Sequence, residues 1–240
     1  MKKEKERIAK VMAHAGLCSR REAERFIQEG KVFVNGKRLD TPAFLVSVED
    51  KITLENKQMP LPDKTRLFCY YKPVGLMTTH KDPEGRKTVF DSLPKNLPRL
   101  ISVGRLDLNS EGLLLLTNDG ELSRFLELPK RGWKRHYKVR VFGKLKEGIK
   151  EELAKGVTVE GIHYAPIEFD IDSVNGANTW VNVTLTEGKN REIRRVMKYF
   201  GLEVSRLIRL SYGPFQLGNL KRGEIKEIPY KVIKEQIPCV

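Results

Sequence analysis

The sequence predicts an α+β protein: a small unit of two helices and a hairpin, then a mixed, mainly antiparallel sheet with flanking helices. Helical spacing with capping signals fills the first 30 residues, whereas short apolar runs between turn residues prevail after residue 67. A segment with two prolines and no periodicity, residues 57–64, is typical of a stiffened tether. We expect domains at residues 1–60 and 67–240, joined by a linker at residues 61–66.

The composition favours a polyanionic partner. The 240 residues include 45 Lys and Arg against 31 Asp and Glu, which gives a net charge of +14. Such an excess favours nucleic acid first and anionic membranes second. No apolar run approaches the roughly 18 residues that span a bilayer, and residues 1–10 are charged, without an apolar signal core. We expect a cytoplasmic protein without a membrane partner.

Cysteines and histidines are few and scattered. Cys18, Cys69 and Cys239 lie far apart, which fits reduced thiols better than a disulfide framework or a zinc site. The four histidines show no metal-ligand spacing among themselves or with the cysteines. We therefore expect no metal and no cofactor.

Two short helices are predicted at the start of the chain. Apolar side chains recur with helical spacing in residues 7–15, and Gly16 ends this helix where a left-handed backbone is tolerated. Ser19 with Glu22 three residues later is the signature of a capping box. A second helix therefore starts after Ser19, and Gly30 ends it.

A hairpin and a basic surface complete this unit. Asn35-Gly36 between short apolar segments predicts a hairpin, because both residues accept positive φ. Crowded cations nearby suit a phosphate backbone, although a solvated helix face is the ordinary alternative. The candidate nucleic-acid-binding residues are Arg20, Arg21, Arg25, Lys31 and Lys37. A DNA-reading helix-turn-helix is the rival, but the second helix lacks the Asn and Gln side chains that read base edges.

Residues 13–24 and 30–36 carry a family resemblance. Their sequences, AHAGLCSRREAE and GKVFVNG, resemble the S-four-type RNA-binding domain. The resemblance implies binding to structured RNA by charge and shape, which is how duplex RNA is recognised.

The rest of the chain predicts mostly strands. Residues 67–71 form an apolar, aromatic run that Lys72-Pro73-Val74-Gly75 breaks. Helices are expected at residues 121–128, 146–155 and 190–200. Strands are expected at residues 113–117, 136–142, 167–171, 180–186 and 204–210.

An acidic residue precedes the most apolar strand. Four leucines, residues 113–116, lie between Gly112 and the turn signal at residues 118–120, which predicts a strand buried on both faces. Asp107 stands in the turn just before it, where rigid scaffold can hold a catalytic group. The alternative is an ordinary turn aspartate that bonds its own backbone.

The strand at residues 136–142 alternates. Its period of two places Tyr137, Val139 and Val141 on one face and basic side chains on the other. Tyr137 is either a core aromatic or a platform for a nucleic-acid base.

The helix at residues 190–200 contains a charge conflict. Asn190 is its expected N-cap. Arg191 with Arg195, and Arg194 with Lys198, are like-charge pairs that each destabilise an isolated helix by roughly 0.2–0.5 kcal/mol, and the helix dipole opposes cations at this end. An anion would offset the conflict: a phosphate, or a buried carboxylate that could be Asp107. A solvated basic face remains an alternative for Arg195 and Lys198.

Taken together, these motifs resemble the pseudouridine synthases, in the RsuA-type branch that acts on ribosomal RNA. The resemblance covers nearly the whole chain and rests on the segments KPVG (72–75), TVFD (88–91), GRLD (104–107), NDGEL (118–122) and EGKNREIRR (187–195). One departure is Glu192, where relatives often carry Gln. The resemblance implies the pseudouridine synthase fold and isomerisation of a uridine extruded from folded RNA.

The resemblance also implies roles for individual residues. Asp107 is the catalytic carboxylate, either as nucleophile or as base, and an apolar pocket would raise its pKa unless a fixed cation, assigned to Arg194, lies beside it. Tyr137 stacks on the uracil. Arg105 fills the space of the flipped base or holds a phosphate. The further RNA-binding candidates are Lys189, Arg191 and Arg195.

The resemblance also indicates which ribosomal RNA is the substrate. Residues 133–137 and the C-terminal part resemble large-subunit members more closely, so large-subunit ribosomal RNA, free or in a partly assembled subunit, is the expected substrate. We expect a monomer and no DNA partner. A non-catalytic ribosome assembly factor that uses only the basic surfaces is the rival function, and it leaves Asp107 dispensable.

Overall fold

The computed structural model of the chain describes residues 5–60 and 63–237. Residues 61 and 62 of the predicted linker, and Cys239, lie outside the described residues. The chain divides into two compact units. The first comprises the chain up to Arg66 with Asn96–Ile101 and Asn118–Gly120, and the second comprises Leu67–Lys95, Ser102–Thr117 and the chain from Glu121 onward. Within the described ranges, no helix has the length and apolarity needed to cross a membrane.

The described part of the first unit has two helices and two small sheets. Its helices are α1 (Ile8–His14) and α2 (Arg20–Gln28), and its strands are β1 (Glu6–Arg7), β2 (Val32–Val34), β3 (Lys37–Arg38), β4 (Leu45–Val46), β5 (Ile52–Leu54) and β6 (Lys57–Gln58). The order β3-β2-β5-β6 forms one antiparallel sheet, and β1 pairs with β4.

The predicted local signals of this unit are confirmed. Glu22 N donates to Ser19 Oγ at 3.1 Å and Ser19 N donates to Glu22 Oε2 at 2.9 Å, which is a complete capping box. Asn35 and Gly36 have φ of 51° and 79° at the tip of the β2–β3 hairpin. Ile8 and Met12 pack with Ala23 and Ile27 in the core between the helices and the sheet.

The second half of the predicted linker is fixed by hydrogen bonds within the first unit. Thr65 Oγ1 donates to Asp119 Oδ2 at 2.7 Å, and Arg66 N donates to Asn118 Oδ1 at 2.8 Å. Asn118 Nδ2 returns a bond to the carbonyl of Lys64 at 2.9 Å. The turn at residues 118–119 thus anchors this segment.

Over its described residues, the second unit is built on a nine-stranded sheet. Its strands are β7 (Leu67–Lys72), β8 (Ile101–Val103), β9 (Glu111–Thr117), β10 (Arg135–Phe142), β11 (Val157–Val159), β12 (Ile162–Tyr164), β13 (Glu168–Asn175), β14 (Asn178–Leu185), β15 (Glu203–Tyr212), β16 (Phe215–Gln216) and β17 (Ile225–Ile228). Its helices are α3 (Gly120–Glu127), α4 (Ile149–Lys155), α5 (Glu192–Tyr199) and α6 (Tyr230–Gln236). Short 3-10 turns lie at Phe90–Ser92 and Pro129–Arg131.

The order of the main sheet confirms the predicted fold class. The strands run β13-β14-β10-β15-β9-β7-β17, with β8 paired to β9 and β16 to β15. Along this order the pair β15–β9 is parallel and the other pairs are antiparallel. The strands β11 and β12 form a separate hairpin. The result is a mixed, mainly antiparallel sheet with flanking helices.

Gly112 makes the parallel junction possible. A Cβ at this residue would lie 2.3 Å from the carbonyl oxygen of Arg209, and its φ is 104°. Only glycine accepts both the close approach and this backbone angle. The next four residues, the predicted leucine strand, are all 0 % exposed, which confirms burial on both faces.

The ends of several elements differ from the predictions. The helix expected from Asn190 begins at Glu192, and its N-cap is Arg191 with a left-handed φ of 51°, so the assignment of Asn190 as N-cap is wrong. The strands β8, β11, β12, β16 and β17 and the helix α6 were not predicted. The strands have only two to four residues each, which is too short for a clear alternating pattern, and α6 has seven residues.

Candidate active site

A cavity of about 770 Å³ opens in the second unit. Its walls are the turn before β9, the inner face of β10 and β15, and the segment that leads into α5. Six predicted site residues line it: Arg105, Asp107, Tyr137, Lys189, Arg191 and Arg194. The motifs around residues 107, 137 and 191, which are far apart in the sequence, therefore lie around a single cavity.

A buried lysine holds the turn that carries Asp107. Lys72 is 0 % exposed, and its Nζ donates to the main-chain carbonyls of Asp107 at 3.0 Å, Ser110 at 2.8 Å and Pro73 at 3.1 Å. Burial lowers the pKa of Lys72 to about 8, although the charges of Asp107 and Glu111 oppose this shift. Lys72 is bound through backbone oxygens, so it leaves the Asp107 carboxylate free to face the cavity.

The carboxylate of Asp107 pairs with Arg191. The distance from Arg191 Nη1 to Asp107 Oδ2 is 3.4 Å, and the two side chains are 48 % and 33 % exposed. The left-handed backbone at Arg191 places its side chain toward the turn rather than along the helix. The structure thus differs from the prediction that Arg194 supplies the cation in contact with Asp107.

Arg194 instead ties three elements together. Its Nη1 donates to the carbonyl of Val204 at 2.9 Å and its Nη2 to the carbonyl of Asn109 at 2.8 Å. Burial lowers the pKa of Arg194, the charge of Arg191 lowers it further, and the charge of Asp107 acts in the opposite direction. Arg194 therefore fixes the Asp107 turn against α5 and β15, and its catalytic role stays a prediction.

Tyr137 forms one wall of the cavity. It lies on the buried face of β10 with Val139 and Val141, as the alternating pattern predicted, and is opposite Arg209 on β15. Apolar side chains of Leu106, Leu207 and Ile193 share the lining. The site can therefore hold a flat, uncharged ring against Tyr137.

Two buried arginines that sequence reasoning missed form the cavity floor. The Cζ atoms of Arg135 and Arg209 lie 4.6 Å and 5.3 Å from the centre of the Tyr212 ring. Arg209 is only 3 % exposed; its Nε donates to the carbonyl of Leu113 at 2.7 Å, and its Nη2 has no hydrogen-bond partner among the described residues. Among the described carboxylates, none forms an ion pair with either arginine. This floor carries uncompensated positive charge.

A buried glutamate fixes the start of β9. Glu111 accepts bonds from Arg206 Nε at 2.6 Å, Arg222 Nε at 3.0 Å and the Tyr71 hydroxyl at 3.2 Å. Burial raises the pKa of Glu111, but the hydrogen bond from Arg206 and the charges of Arg206 and Arg222 outweigh it and lower the pKa. The partners come from three distant segments, so no local pattern could have revealed this network.

Glu192 is buried at the start of α5. Its Oε2 accepts a bond from Lys189 N at 2.9 Å, and no hydrogen-bond donor among the described residues reaches its Oε1. Burial raises the pKa of Glu192 to about 7, and the neighbouring carboxylate of Glu187 adds to the shift. Glu192, where relatives often carry Gln, is therefore a readily protonated acid next to Arg191 in the chain.

The other predicted RNA-binding residues lie elsewhere. Arg195 borders a second, smaller cavity beside α5. In the first unit Arg20, Arg21, Arg25 and Lys37 are exposed. Arg25 lies 3.6 Å from Glu29, and Lys31 forms ion pairs with Glu29 at 2.8 Å and Glu55 at 3.2 Å, so acids partly compensate these two cations.

Comparison with known proteins decides the family. The sequence model described as RNA pseudouridylate synthase matches residues 66–199, which is more than half of the chain, and the S4 domain model matches residues 6–52. The chain belongs to the RNA pseudouridine synthase family. The family resemblance inferred from the motifs is thereby confirmed, as is the S-four-type domain at the front.

Relatives in this family match over nearly the full length. An RNA pseudouridine synthase of Rickettsia felis is 50 % identical over 96 % of this chain and 100 % of its own. The ribosomal large subunit pseudouridine synthase B of Salmonella typhi is 44 % identical over 94 % of this chain and 80 % of its own. A crystal structure of a pseudouridylate synthase superposes with a TM-score of 0.68 at 26 % identity, covering 96 % of this chain and 99 % of that one.

Proposed function

We propose that this synthase converts a uridine of large-subunit ribosomal RNA to pseudouridine, with Asp107 as the catalytic carboxylate. The observation that carries the proposal is one cavity that holds the Asp107–Arg191 pair, Tyr137 and a floor of two buried arginines that form no ion pair with a described carboxylate. The choice of substrate rests on the name of the Salmonella typhi relative. The S4 domain and the net charge of +14 suit ribosomal RNA or a partly assembled subunit.

The target nucleotide enters the cavity as a flipped base. A volume of about 770 Å³ is typical of sites that enclose a small ligand. Extrusion from folded RNA costs on the order of a few kcal/mol. Arg105 and Lys189, which are exposed and line the cavity, offset this cost by binding phosphates of the flanking backbone.

The reaction exchanges one bond to the ribose for another. The N1–C1′ bond breaks, the base turns, a C5–C1′ bond forms, C5 loses a proton and N1 gains one. Asp107 either attacks C1′ or removes a proton from C2′, and both routes need a carboxylate that reaches the ribose. Arg191 orients that carboxylate from the solvent side, while Lys72 and Arg194 hold its main chain.

The floor and wall of the cavity act on the base. When the N1–C1′ bond breaks, uracil leaves with the electron pair and carries negative charge. The guanidinium groups of Arg135 and Arg209 are already in place and stabilise this charge as it develops. Tyr137 packs against the face of the base, and its hydroxyl can relay the C5 proton by releasing its own proton to solvent as it accepts the one from C5.

Release of tritium from carbon-5-labelled uridine tests the proposal. Unmodified large-subunit and small-subunit ribosomal RNA are incubated with the wild type, with Asp107→Asn and with Asp170→Asn, a control that removes an exposed carboxylate paired with Lys150. We expect release from large-subunit RNA by the wild type and the control only. Tight binding to the RNA with no release by the wild type would favour the assembly factor, and release by Asp107→Asn would overturn the role of Asp107.

A further inference from the structure

Beside the catalytic cavity lies a second concavity, which we call the α5 groove. Its volume is about 480 Å³, and it lies between α5 and the tip of the β11–β12 hairpin. Four cations, Arg191, Arg194, Arg195 and Lys198, line it against one acid, Glu160. Arg191 and Arg194 line both cavities, so the groove continues directly from the catalytic cavity.

An exposed aromatic ring belongs to this groove. Tyr199 is 51 % exposed. Its ring meets the buried Phe200 edge-on, at 83° with 5.1 Å between the ring centres. The ring is thus supported from behind while much of its surface stays open. Aromatic faces of this kind bind nucleic-acid bases by stacking, without regard to sequence.

The cations of the groove repel one another in the free protein. Arg194 and Lys198 are four residues apart on α5, a spacing that brings like charges together. Arg191 and Arg195 line the same groove, and the charge of Arg191 lowers the pKa of Arg194. In the described part of the chain, Arg195 and Lys198 form no ion pair. A phosphate chain along α5 would relieve this repulsion.

We propose that the α5 groove binds the RNA nucleotides that flank the target uridine, with a base stacked on Tyr199 and phosphates bound by Arg195 and Lys198. The inference rests on the proposed function for the position of the target in the neighbouring cavity. The eight residues of α5 extend over about 12 Å. A stacked strand rises about 3.4 Å per nucleotide, so the groove accommodates three to four nucleotides.

Binding of a fluorescein-labelled decauridylate, measured by anisotropy, tests the groove without requiring turnover. Tyr199→Ala is expected to raise Kd about tenfold, or about 1.4 kcal/mol, whereas Tyr199→Phe keeps the wild-type value because it retains the stacking face. The matched control is Tyr230→Ala, which removes a helix-borne tyrosine that is 49 % exposed beside Lys234. Equal Kd values for Tyr199→Ala and Tyr230→Ala would overturn the proposal.

The salt dependence of the same binding tests the phosphate contacts. The double variant Arg195→Ala/Lys198→Ala should flatten the plot of log K against log salt by about 1.4, since each phosphate contact to a single strand contributes about 0.7. An unchanged slope would overturn the phosphate contacts. Thermal melting of each variant at the wild-type temperature establishes that the fold is intact.

Crosslinking separates this inference from the proposed function. A ribosomal RNA fragment that supports tritium release carries 4-thiouridine at one to four nucleotides from the target, and we expect a crosslink to the peptide that contains Tyr199. Crosslinks confined to other surfaces would overturn the groove even while tritium release upholds the synthase activity. Conversely, a wild type that releases no tritium yet shows the Tyr199-dependent affinity for decauridylate would refute the activity and keep the groove as an RNA site.

Discussion

The ammonium group of Lys72 donates a hydrogen bond to the main-chain carbonyl of Asp107 at 3.0 Å, from a side chain that is wholly buried. A buried cation ordinarily needs a carboxylate partner, because its desolvation is costly. Here three backbone oxygens take that place. The position of Asp107 therefore depends on a residue at the end of β7, 35 residues earlier in the chain.

Lys72→Met is expected to lower the isomerisation rate and to change the pH dependence of stability. The pKa of Lys72 is lowered to about 8 in the folded protein, so the unfolded chain binds more protons between about pH 8 and its ordinary value near 10.4. Wild-type stability should therefore rise with pH across this window relative to Lys72→Met. Chemical denaturation at pH 7.5 and 10 measures this, with Lys226→Met as the exposed control. A parallel pH response of wild type and Lys72→Met would contradict it.

Glu192→Gln is expected to stabilise the protein at alkaline pH. The pKa of Glu192 is raised to about 7 in the folded state, so the folded protein retains a proton that the unfolded chain releases above about pH 4.3. The contribution of Glu192 to the free energy of unfolding is therefore present at low pH and is lost as the pH rises toward 7. The melting temperature of Glu192→Gln should thus exceed that of the wild type at pH 8 by more than at pH 5. Glu203→Gln, on an exposed glutamate, should show no such divergence.

Gly112→Ala is expected to destabilise the fold by several kcal/mol, because the added Cβ meets the Arg209 backbone and φ is positive. Gly148→Ala is the matched control, since Gly148 has φ of 79° but no atom within 4 Å of its added Cβ. That variant should lose only the roughly 1 kcal/mol that backbone strain alone costs. Urea denaturation of both variants separates crowding from strain; similar losses would show that β9 and β15 can move apart.

We expect Arg191→Ala to affect activity alone and Arg194→Ala to affect both activity and stability. Arg191 is half exposed, and its ion pair among the described residues is with the Asp107 carboxylate, so its loss should lower kcat with an unchanged melting temperature. Arg194 satisfies the carbonyls of Val204 and Asn109, so its loss should lower both kcat and the melting temperature. Differential scanning fluorimetry beside single-turnover kinetics distinguishes the two, and an identical phenotype would show that both arginines act as one unit.

Local chemistry made part of this structure predictable. The capping box at Ser19, the positive φ at Asn35, the buried leucine strand and the alternation around Tyr137 all depend on residues within a few positions of one another. The leucine strand indicates that Asp107 lies in a turn next to a buried strand, and the alternation indicates that Tyr137 lies on the buried face of a strand.

Long-range pairing made the remainder unpredictable. Arg191, rather than Arg194, pairs with Asp107 because the backbone at Arg191 is left-handed. Arginine rarely adopts this conformation. The floor arginine Arg209 faces Gly112 through a parallel strand pair that joins segments almost a hundred residues apart. Helical periodicity gives no information on such long-range contacts. The sequence pattern therefore predicted Arg194, rather than Arg191, as the partner of Asp107, and it gave no indication that Arg209 belongs to the site.

The turn that carries Asp107 is held in place by hydrogen bonds to its main-chain carbonyl groups. Lys72 binds the carbonyls of residues 107 and 110, and Arg194 binds the carbonyl of residue 109. Every amino acid brings the same carbonyl, so the shape of this loop is independent of the side chains at Leu108 and Asn109. Those two positions can therefore diverge to suit different RNA neighbours while the reactive carboxylate keeps its place, and the site can change its substrate without being rebuilt.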